Sequence, residues 1–579
     1  MLFIPLIWLL IGISTSAIGW LWWRMWASLG LPGRVPPLEL LSLSGIAVLI
    51  LVLQPVSLLA PINNWARCWV GGLTIATLLW QRRALGVALR QITLWPQSNK
   101  LAFGLFLLLG VELLIRCSTY THNHDAQLYY IQSLQWIEQF PVVPGLGNLH
   151  GRLAFNISLF LPTALYKIPT PNGAYYGLPT YFYLLLLVAA IRGATSALQR
   201  KTTTWWSWAY LLVYVCLTQF FRVWISSPAP DCTLAVLLSF IFLRYAKKWQ
   251  TEANRLFDQD TVLLILLVCV AVTIKLSAFP ILLLLLPIVW THYKQLNAQK
   301  LLAIVALSIG VWTPWFLRSV FLSGYLVYPL PVFNWLQVDW KVSMDQVQLE
   351  RSLIINMARH TAATIRQQAP QSALTMWLPK WWDHNRTNPD VLILLQLVVL
   401  SPLLMSWYWY KVKRILPEQG VWAGWLTAIT GSIFWFVAAP DYRFGIGFLL
   451  IAGLWPWLSL LSLRALSRKA SMGVALLIIC WTLQNLRDPF YQVRDWSPML
   501  YTHLVWPAVE PHPATSIEVV ENHAIYIAQI KGACGDTPLP CTYRIAPGLE
   551  FRGTTLADGF RITNATINTI SANNPRRNK

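Results

Sequence analysis

Long apolar runs alternate with short polar segments from the first residues of the chain to about residue 486. A helix of about 20 apolar residues is long enough to cross the hydrocarbon core of a bilayer. The pattern therefore predicts an all-α polytopic membrane protein with about fourteen transmembrane helices, within a margin of about two. The predicted spans are residues 2–22, 38–60, 65–80, 101–117, 174–195, 204–222, 230–246, 261–277, 279–293, 300–321, 389–410, 421–439, 444–462 and 470–486.

Basic residues collect in alternate loops of this arrangement. With the predicted spans, every basic cluster lies on the same side of the membrane, and the positive-inside rule makes that side cytoplasmic. Loops 118–173 and 322–388, the tail 487–579 and the N-terminus are then exterior. The clusters are Arg82–Arg83–Arg90, Arg200–Lys201, Lys247–Lys248, Lys294–Lys300, Lys411–Lys413–Arg414 and Arg464–Arg468–Lys469.

The same pattern divides the chain into three parts. Residues 1–100 hold the N-terminal transmembrane helices, residues 101–486 a transmembrane core, and residues 487–579 an exterior domain. The exterior domain is richer in Thr, Asn and Pro, and its alternating stretches 516–521 and 524–530 predict short strands.

Two cysteines in the tail, Cys534 and Cys541, enclose a short loop with two prolines. An oxidising exterior compartment favours a disulfide between them. The alternative is a metal site, but a tetrahedral site needs four ligands and no second pair of ligands is nearby in the sequence. We therefore expect the disulfide, and we predict no metal and no cofactor.

Composition confirms the class and removes one alternative. Of the 579 residues, 56% are hydrophobic and 12% are charged, which excludes soluble domains of ordinary composition. The net charge of +21 would indicate nucleic-acid binding in a soluble protein. In a membrane protein it follows from basic cytoplasmic loops, so no nucleic-acid partner is predicted.

The first exterior loop carries the densest set of polar residues. Asp125 stands where a helix should begin and suits an N-cap. Tyr129, Gln132 and Trp136 follow at helical spacing, so the four side chains are predicted to share one face. The alternative is an amphipathic helix on the membrane surface, with Asp125 as a simple cap.

A turn rich in proline and glycine follows and leads to His150, Arg152 and Asn156. Arg152 and Asn156 are four residues apart and are predicted to share a helical face. The planar fork of an arginine binds phosphate oxygens in pairs, which makes Arg152 a candidate phosphate ligand. The alternative is that Arg152 extends to lipid headgroups.

Charged residues also stand at the exterior ends of other predicted spans. Basic residues there oppose the positive-inside preference, so either pairing with acids or binding of a phosphate-bearing ligand must favour them. The residues are Asp231, Lys275, Arg318, Asp441 and Arg443.

Four segments resemble a bacterial family of polytopic membrane proteins that has no assigned activity. The similarity runs from about residue 100 to the end of the chain. More distantly, the layout resembles the GT-C superfamily of membrane glycosyltransferases, which use polyprenyl-phosphate-linked sugars. The segments are 124–132 (HDAQLYYIQ), 142–156 (VVPGLGNLHGRLAFN), 226–231 (SSPAPD) and 439–445 (APDYRFG), together with the tail loop 534–541 (CGDTPLPC).

The resemblance implies a long first exterior loop with an acidic residue near its start, and an exterior C-terminal domain. The chain departs from that layout in two respects. Asp125 has no adjacent acid, whereas many GT-C enzymes carry an acidic pair, and this disfavours a bridging metal. Three further spans precede the one that leads into the acidic loop, where the simplest layout has a single span.

The resemblance implies inverting sugar transfer from a polyprenyl-phosphate donor to a glycan or lipid acceptor. The site would lie at the exterior face of a bacterial inner membrane. Asp125 would be the general base, and Arg152, Lys275, Arg318 and Arg443 would hold the lipid phosphate. Asp231 would orient the acceptor or pair with a base, and Trp136 and the segment 377–382 would stack on sugars. The other predicted substrate-binding residues are Tyr129, Gln132, His150, Asn156 and Asp441.

Two other functions remain open from the sequence. A transporter or flippase of lipid-linked glycans would need polar residues near the middle of spans, whereas most charges here stand at helix ends. A non-enzymatic assembly component of an envelope polysaccharide pathway would tolerate replacement of Asp125.

Overall fold

A computed structural model describes most of the chain. Four basic residues of the predicted loop clusters, Arg83, Arg90, Lys413 and Arg414, lie outside the described residues, as does the last part of the tail. The described residues are 1–33, 36–82, 94–119, 123–171, 173–249, 257–360, 373–412, 419–485, 505–507, 513–521, 523–529 and 532–563.

The described chain is mainly helical. The helices of the N-terminal half are α1 Phe3–Ser28, α2 Leu38–Leu59, α3 Asn64–Trp80, α4 Lys100–Ser118, α5 Ile131–Gln139, α6 Leu146–Leu149, α7 Phe160–Leu165, α8 Leu178–Gln199, α9 Ala209–Phe220, α10 Pro230–Trp249 and α11 Gln259–Ile274. Those that follow are α12 Leu285–His292, α13 Ala298–Ser323, α14 Met344–Ala358, α15 Leu374–Asn385, α16 Pro389–Val412, α17 Gln419–Ala438, α18 Tyr442–Leu461 and α19 Arg468–Asn485.

Eight of these helices in the described part of the chain are long and apolar enough to cross a membrane: α1, α2, α4, α8, α13, α16, α17 and α18. Each of the other predicted spans also contains helical structure, but in shorter or more charged segments. One example is the segment 279–293, which is divided between a 3-10 helix, Leu276–Leu284, and α12. The prediction of an α-helical membrane protein is therefore confirmed, and the number fourteen stays a prediction.

The first two helices pack with unusually close backbones. A Cβ atom on Gly19 would lie 1.8 Å from the carbonyl oxygen of Leu41, and one on Gly45 would lie 1.8 Å from that of Thr15. Small residues permit this approach between membrane helices. The pair is joined to α8 by a hydrogen bond of 2.9 Å between the hydroxyls of Ser42 and Tyr181.

Several segments next to the basic clusters meet at one end of the bundle. Strand β3 (Thr202–Thr203) pairs with β4 (Leu466–Ser467). The amide of Gln199 donates to Asn99, and that of Gln259 donates to the carbonyl oxygen of Leu31. The loop between α8 and α9 therefore meets the loop between α18 and α19, the end of α8 meets the start of α4, and the loop between α1 and α2 meets the start of α11.

The long loops and the tail meet at the opposite end. Hairpin β1–β2 (Lys167–Thr170, Gly173–Tyr176) lies in the first long loop, and the tail adds five strands. Strands β5 and β6 confirm the predicted tail strands. The tail strands are β5 Thr515–Val520, β6 His523–Ala528, β7 Cys541–Thr542, β8 Leu549–Phe551 and β9 Phe560–Ile562.

The tail contacts the first long loop directly. Cys534 and Cys541 form the predicted disulfide. The side-chain amide of Gln132 donates to the carbonyl oxygens of Gly535 and Thr537, within the loop that this disulfide closes. The Thr542 hydroxyl donates to the Leu149 carbonyl at 2.9 Å. The disulfide loop therefore fixes the segment that follows Asp125.

Candidate functional site

Asp125 stands at the beginning of a helical segment but does not cap it. Its backbone N–H donates to the side chain of Asn123, its own backbone is already helical, and its carboxylate caps no backbone group. The prediction of an Asp125 N-cap is therefore wrong. Asn123 makes the local side-chain turn in its place, which leaves the carboxylate of Asp125 free to face other side chains.

A π-helical turn, Ala126–Tyr130, separates Asp125 from α5. Its hydrogen bonds run from residue i to residue i+5, so it changes the spacing on which a common face depends. Tyr129 accordingly lines one cavity with Asp125, while Trp136 lines another. Gln132 binds the tail. The prediction that these four residues share one face is therefore wrong.

The carboxylate of Asp125 lies between two guanidinium groups. Its Oδ1 is 2.7 Å from Nη1 of Arg152, and its Oδ2 is 3.0 Å from Nη1 of Arg443. Burial of Asp125, which is 8% exposed, by itself raises its pKa. The charges of Arg443 and Arg152, with smaller effects of Lys275 and His124, outweigh burial and hold the pKa below its ordinary value. Asp125 is therefore ionised at neutral pH.

Arg443 is fixed by the start of α18. Asp441 caps that helix by accepting from the backbone N–H of Arg443, and its Oδ2 is 3.0 Å from the Arg443 Nε. The indole of Trp435 donates to the Asp441 carbonyl at 2.6 Å. Asp is a preferred N-cap residue, so the sequence Pro440–Asp441 places the guanidinium of Arg443 locally.

Arg152 is positioned by a short 3-10 turn, Gly151–Ala154. Asn156 lies beyond this turn, so the predicted common helical face of Arg152 and Asn156 is wrong. The ring Nδ1 of His150 accepts from the Arg152 backbone N–H. Burial lowers the pKa of His150 to about 3, so its ring is neutral at physiological pH.

Glu350 lies behind Arg152, and it was not among the predicted site residues of the loop 322–388. Its Oε2 is 3.9 Å from Nε of Arg152. Burial raises the pKa of Glu350, and Arg152 offsets only part of that rise. One signal was available in the sequence: Glu350 follows the apolar Val347 by three residues, which is the spacing of one helical face. Both residues are buried on α14.

A further ion pair completes a charged floor, formed by Asp125, Asp231 and Asp441 with Arg152, Lys275 and Arg443. Lys275, directly after α11, pairs with Asp231 in the first turn of α10. The Lys275 ammonium also lies 3.6 Å from the centre of the Phe444 ring. Of the two roles predicted for Asp231, pairing with a base is the one that this geometry contains.

These groups border a cavity of about 500 Å³. Its walls are mainly apolar side chains of α11, α13, α14 and α17. Arg351 on α14 also lines it, and no ion pair joins Arg351 to a carboxylate in the described part of the chain. The predicted site residues that line the cavity are Asp125, Tyr129, Arg152, Asn156, Lys275, Asp441 and Arg443.

Four predicted site residues do not line this cavity. Gln132 binds the tail, His150 lies against Tyr543, and Asp231 lies behind Lys275. Arg318 borders a separate, smaller cavity, because Nη1 of its side chain donates to Ser57 of α2. The prediction that Arg318 joins Arg152 and Arg443 around one ligand is therefore not met by this geometry.

Two of the three tryptophans of α15 serve packing, whereas the third, Trp382, is exposed. Trp377 and Trp381 are buried against Trp435 and Phe436, and the Trp381 indole donates to the Pro440 carbonyl. The prediction that the segment 377–382 stacks on a sugar is therefore wrong for Trp377 and Trp381, and for Trp382 it stays a prediction. The effect of Trp377 and Trp381 is indirect, since they support the turn before Asp441.

A family model matches residues 1–450, under the description domain of unknown function (DUF8201). The chain belongs to the DUF8201 family. The matched range includes the first three helices and every residue that lines the 500 Å³ cavity. No curated protein and no solved structure matches the chain.

Proposed function

We propose that this DUF8201 protein is a membrane glycosyltransferase that transfers a sugar from a polyprenyl-phosphate donor to an acceptor at the exterior face. One observation carries the proposal. A buried carboxylate, Asp125, is held between Arg152 and Arg443 at the polar end of a mainly apolar cavity of about 500 Å³. A ligand pocket of this kind, largely apolar with a few convergent polar groups, is the usual form of a small-molecule site.

The two surfaces of the cavity correspond to the two parts of a lipid phosphate. Apolar side chains such as Ile274, Trp315, Ile354 and Phe434 would contact an isoprenoid chain. The charged floor would contact the phosphate and the sugar. An entirely water-soluble sugar nucleotide would leave the apolar walls without a partner, so the lipid-linked donor is favoured.

The charges of the floor balance. Three carboxylates face three cations, each cation is within ion-pairing distance of a carboxylate, and a fourth carboxylate, Glu350, lies behind Arg152. A phosphate that enters must therefore either displace a carboxylate or use another cation. The balanced residues are Asp125, Asp231 and Asp441 against Arg152, Lys275 and Arg443.

Arg351 supplies the other cation. It lines the cavity, and in the described part of the chain it has no carboxylate partner. An arginine that is already free loses no ion pair when it binds phosphate in a bidentate manner. Arg351 would thus make the first contact with the donor and bring its phosphate toward Arg152 and Arg443.

Binding of the phosphate would raise the pKa of Asp125. Its low pKa makes it a weak base while both arginines hold it, since a general base works best with a pKa near the operating pH. A phosphate that takes over the guanidinium groups removes the charges that lower this pKa. Asp125 then becomes a stronger base only when the donor is present.

The transfer step follows from this arrangement. The acceptor hydroxyl oxygen attacks the anomeric carbon while its proton passes to Asp125. The bond between the anomeric carbon and the phosphate oxygen breaks, and the phosphate leaves with the electron pair. Arg152 and Arg443 stabilise the negative charge of the leaving phosphate. Attack opposite the leaving group inverts the anomeric configuration.

The test uses the full chain purified into lipid nanodiscs. We expect it to transfer a radiolabelled sugar from one of a panel of polyprenyl-phosphate sugars. Asp125→Asn should keep binding of the lipid phosphate and lose transfer. The counter-test uses the chain in proteoliposomes with the same donors. If the chain translocates the lipid-linked sugar without transferring it, and Asp125→Asn abolishes this translocation, the protein is a transporter and not a transferase. Absence of any lipid-phosphate binding would overturn both functions.

A further inference from the structure

A second cavity of about 30 Å³ lies beside the large one. It is lined by residues of α2, α5 and α13 and by the loop 140–143. Most of its lining is apolar. The polar side chains in the lining are Ser57, Ser133, Trp136 and Arg318.

Arg318 is buried here without a compensating negative charge. It is 6% exposed. Its Nη1 donates to the Ser57 hydroxyl at 2.6 Å and its Nε to the Asn156 side-chain oxygen at 3.2 Å. Both acceptors are neutral, and none of the ion pairs among the described residues includes Arg318. A buried cation is costly unless a negative charge accompanies it.

Two further donors line the same cavity. The Ser133 hydroxyl and the Trp136 indole N–H are buried and have no hydrogen-bond partner among the described residues. Ser133 is 8% and Trp136 3% exposed. Buried polar groups in proteins nearly always have a partner. The cavity therefore combines one cation and two further donor groups, with no acceptor of negative charge.

We propose that this small cavity binds a small monovalent inorganic anion, of which chloride is the probe, as the counterion of Arg318. A guanidinium with two unpaired donors and no carboxylate beside it recognises negative charge. About 30 Å³ is space for roughly two or three water molecules at ~10–15 Å³ each. A monatomic anion fits that space, whereas a lipid-linked sugar phosphate requires the neighbouring cavity.

The bound anion contacts groups from three different helices. Arg318 belongs to α13, Ser133 and Trp136 to α5, and Ser57 to α2. The anion also acts next to the large cavity, because Arg318 donates to Asn156, which lines that cavity. The proposal does not depend on the proposed glycosyl transfer, since it concerns a different cation and a different cavity.

The test is thermal unfolding of the full chain in detergent, followed by tryptophan fluorescence. Chloride replaces gluconate at constant ionic strength. A ligand that binds only the folded state raises Tm as its concentration exceeds Kd. We expect chloride and bromide to raise Tm by several degrees over gluconate. Arg318→Met should abolish the difference, and the exposed Arg24→Met should retain it.

If Arg318→Met does not fold, a second pair of variants with smaller changes tests the same site. Trp136→Phe removes one donor and should weaken the apparent chloride affinity by about tenfold, whereas Trp335→Phe, at an exposed position, should leave it unchanged. A bromide-soaked crystal should show an anomalous peak beside Arg318. Equal Tm values in chloride and gluconate, or a chloride effect that both Arg318→Met and Trp136→Phe retain, would overturn the proposal.

Discussion

The arginines of the two cavities differ in their partners. In the large cavity, Arg152 and Arg443 are paired with carboxylates before any ligand arrives. In the small cavity, Arg318 has only neutral acceptors among the described residues. A ligand of the first cavity must exchange with existing partners, whereas a ligand of the second completes an unbalanced site. Arginines at the same end of a membrane bundle therefore do not form one class of phosphate ligand.

One wall and one helical segment connect the two cavities. Phe155 and Ile157 line both. The segment from Asp125 to Gln139 gives Asp125 and Tyr129 to the large cavity and Ser133 and Trp136 to the small one. The π-helical turn makes this division possible, since it rotates the start of the segment relative to α5. Variants in either cavity can thus be compared within one protein.

The largest effect is expected for Asp125→Asn. If Asp125 accepts the proton in the large cavity, transfer should fall by about 10²–10⁴-fold in kcat. Asn keeps the shape of the side chain and still accepts a hydrogen bond from one arginine. Single-turnover transfer in nanodiscs measures the loss, and Asp383→Asn, at an exposed position on α15, is the matched control. Unchanged kcat at normal protein level would exclude Asp125 as the base.

Loss of Gln132 should weaken the segment that both cavities share. Gln132→Leu leaves the carbonyls of Gly535 and Thr537 without their donor, at a cost of about 1–3 kcal/mol. Thermal unfolding should show a lower Tm. Gln299→Leu, at an exposed position on α13, serves as the control. If Gln132→Leu unfolds like the wild type, the disulfide loop does not fix the segment.

Arg351→Met separates recruitment of the donor from catalysis. We expect KM for the polyprenyl-phosphate donor to rise by about tenfold, equal to ~1.4 kcal/mol, with kcat nearly unchanged. The reason is that, under the proposed function, Arg351 would contact the phosphate without holding Asp125. Steady-state kinetics with Arg386→Met as the exposed control measures the split. A fall in kcat with constant KM would assign Arg351 to the transition state.

The smallest effect concerns pH. In the free protein, burial raises the pKa of Asp125, but the charges of Arg443 and Arg152 lower it by more, so the pKa lies below its ordinary value. The acid limb of kcat/KM, which reports the free enzyme, should therefore lie below the ordinary range for Asp. The limb of kcat reports the donor complex, in which the phosphate has taken the arginines, and should lie at higher pH. Coincident limbs would show that Asp125 keeps its arginines throughout.

Local signals in the sequence were sufficient for part of this description. Apolar length predicted the membrane helices, alternation predicted strands β5 and β6, and the spacing of Cys534 and Cys541 predicted their disulfide. Charged residues at helix ends also indicated side chains that come together around one cavity. Seven of the predicted site residues line one cavity.

The remaining features depend on tertiary structure. No local pattern in the sequence indicates the π-helical turn after Asp125. The prediction that Tyr129 and Gln132 share a face, which assumed a regular α-helix, is therefore wrong. Arg318 was assigned to the phosphate because charge alone does not show that Ser57 turns its side chain to another cavity. Arg351 stands in a loop of mixed polarity, where only the fold reveals that α14 covers the site.

The most direct measurement of the central claim is the binding of polyprenyl phosphate compared with polyprenol, by native mass spectrometry of the full chain. The two ligands share the isoprenoid chain and differ in the phosphate. The account predicts that the phosphate binds at least about tenfold more tightly and that Arg351→Met removes most of this preference, while Arg318→Met leaves it in place. Equal binding of the two lipids, or a preference that depends on Arg318 instead of Arg351, would contradict it.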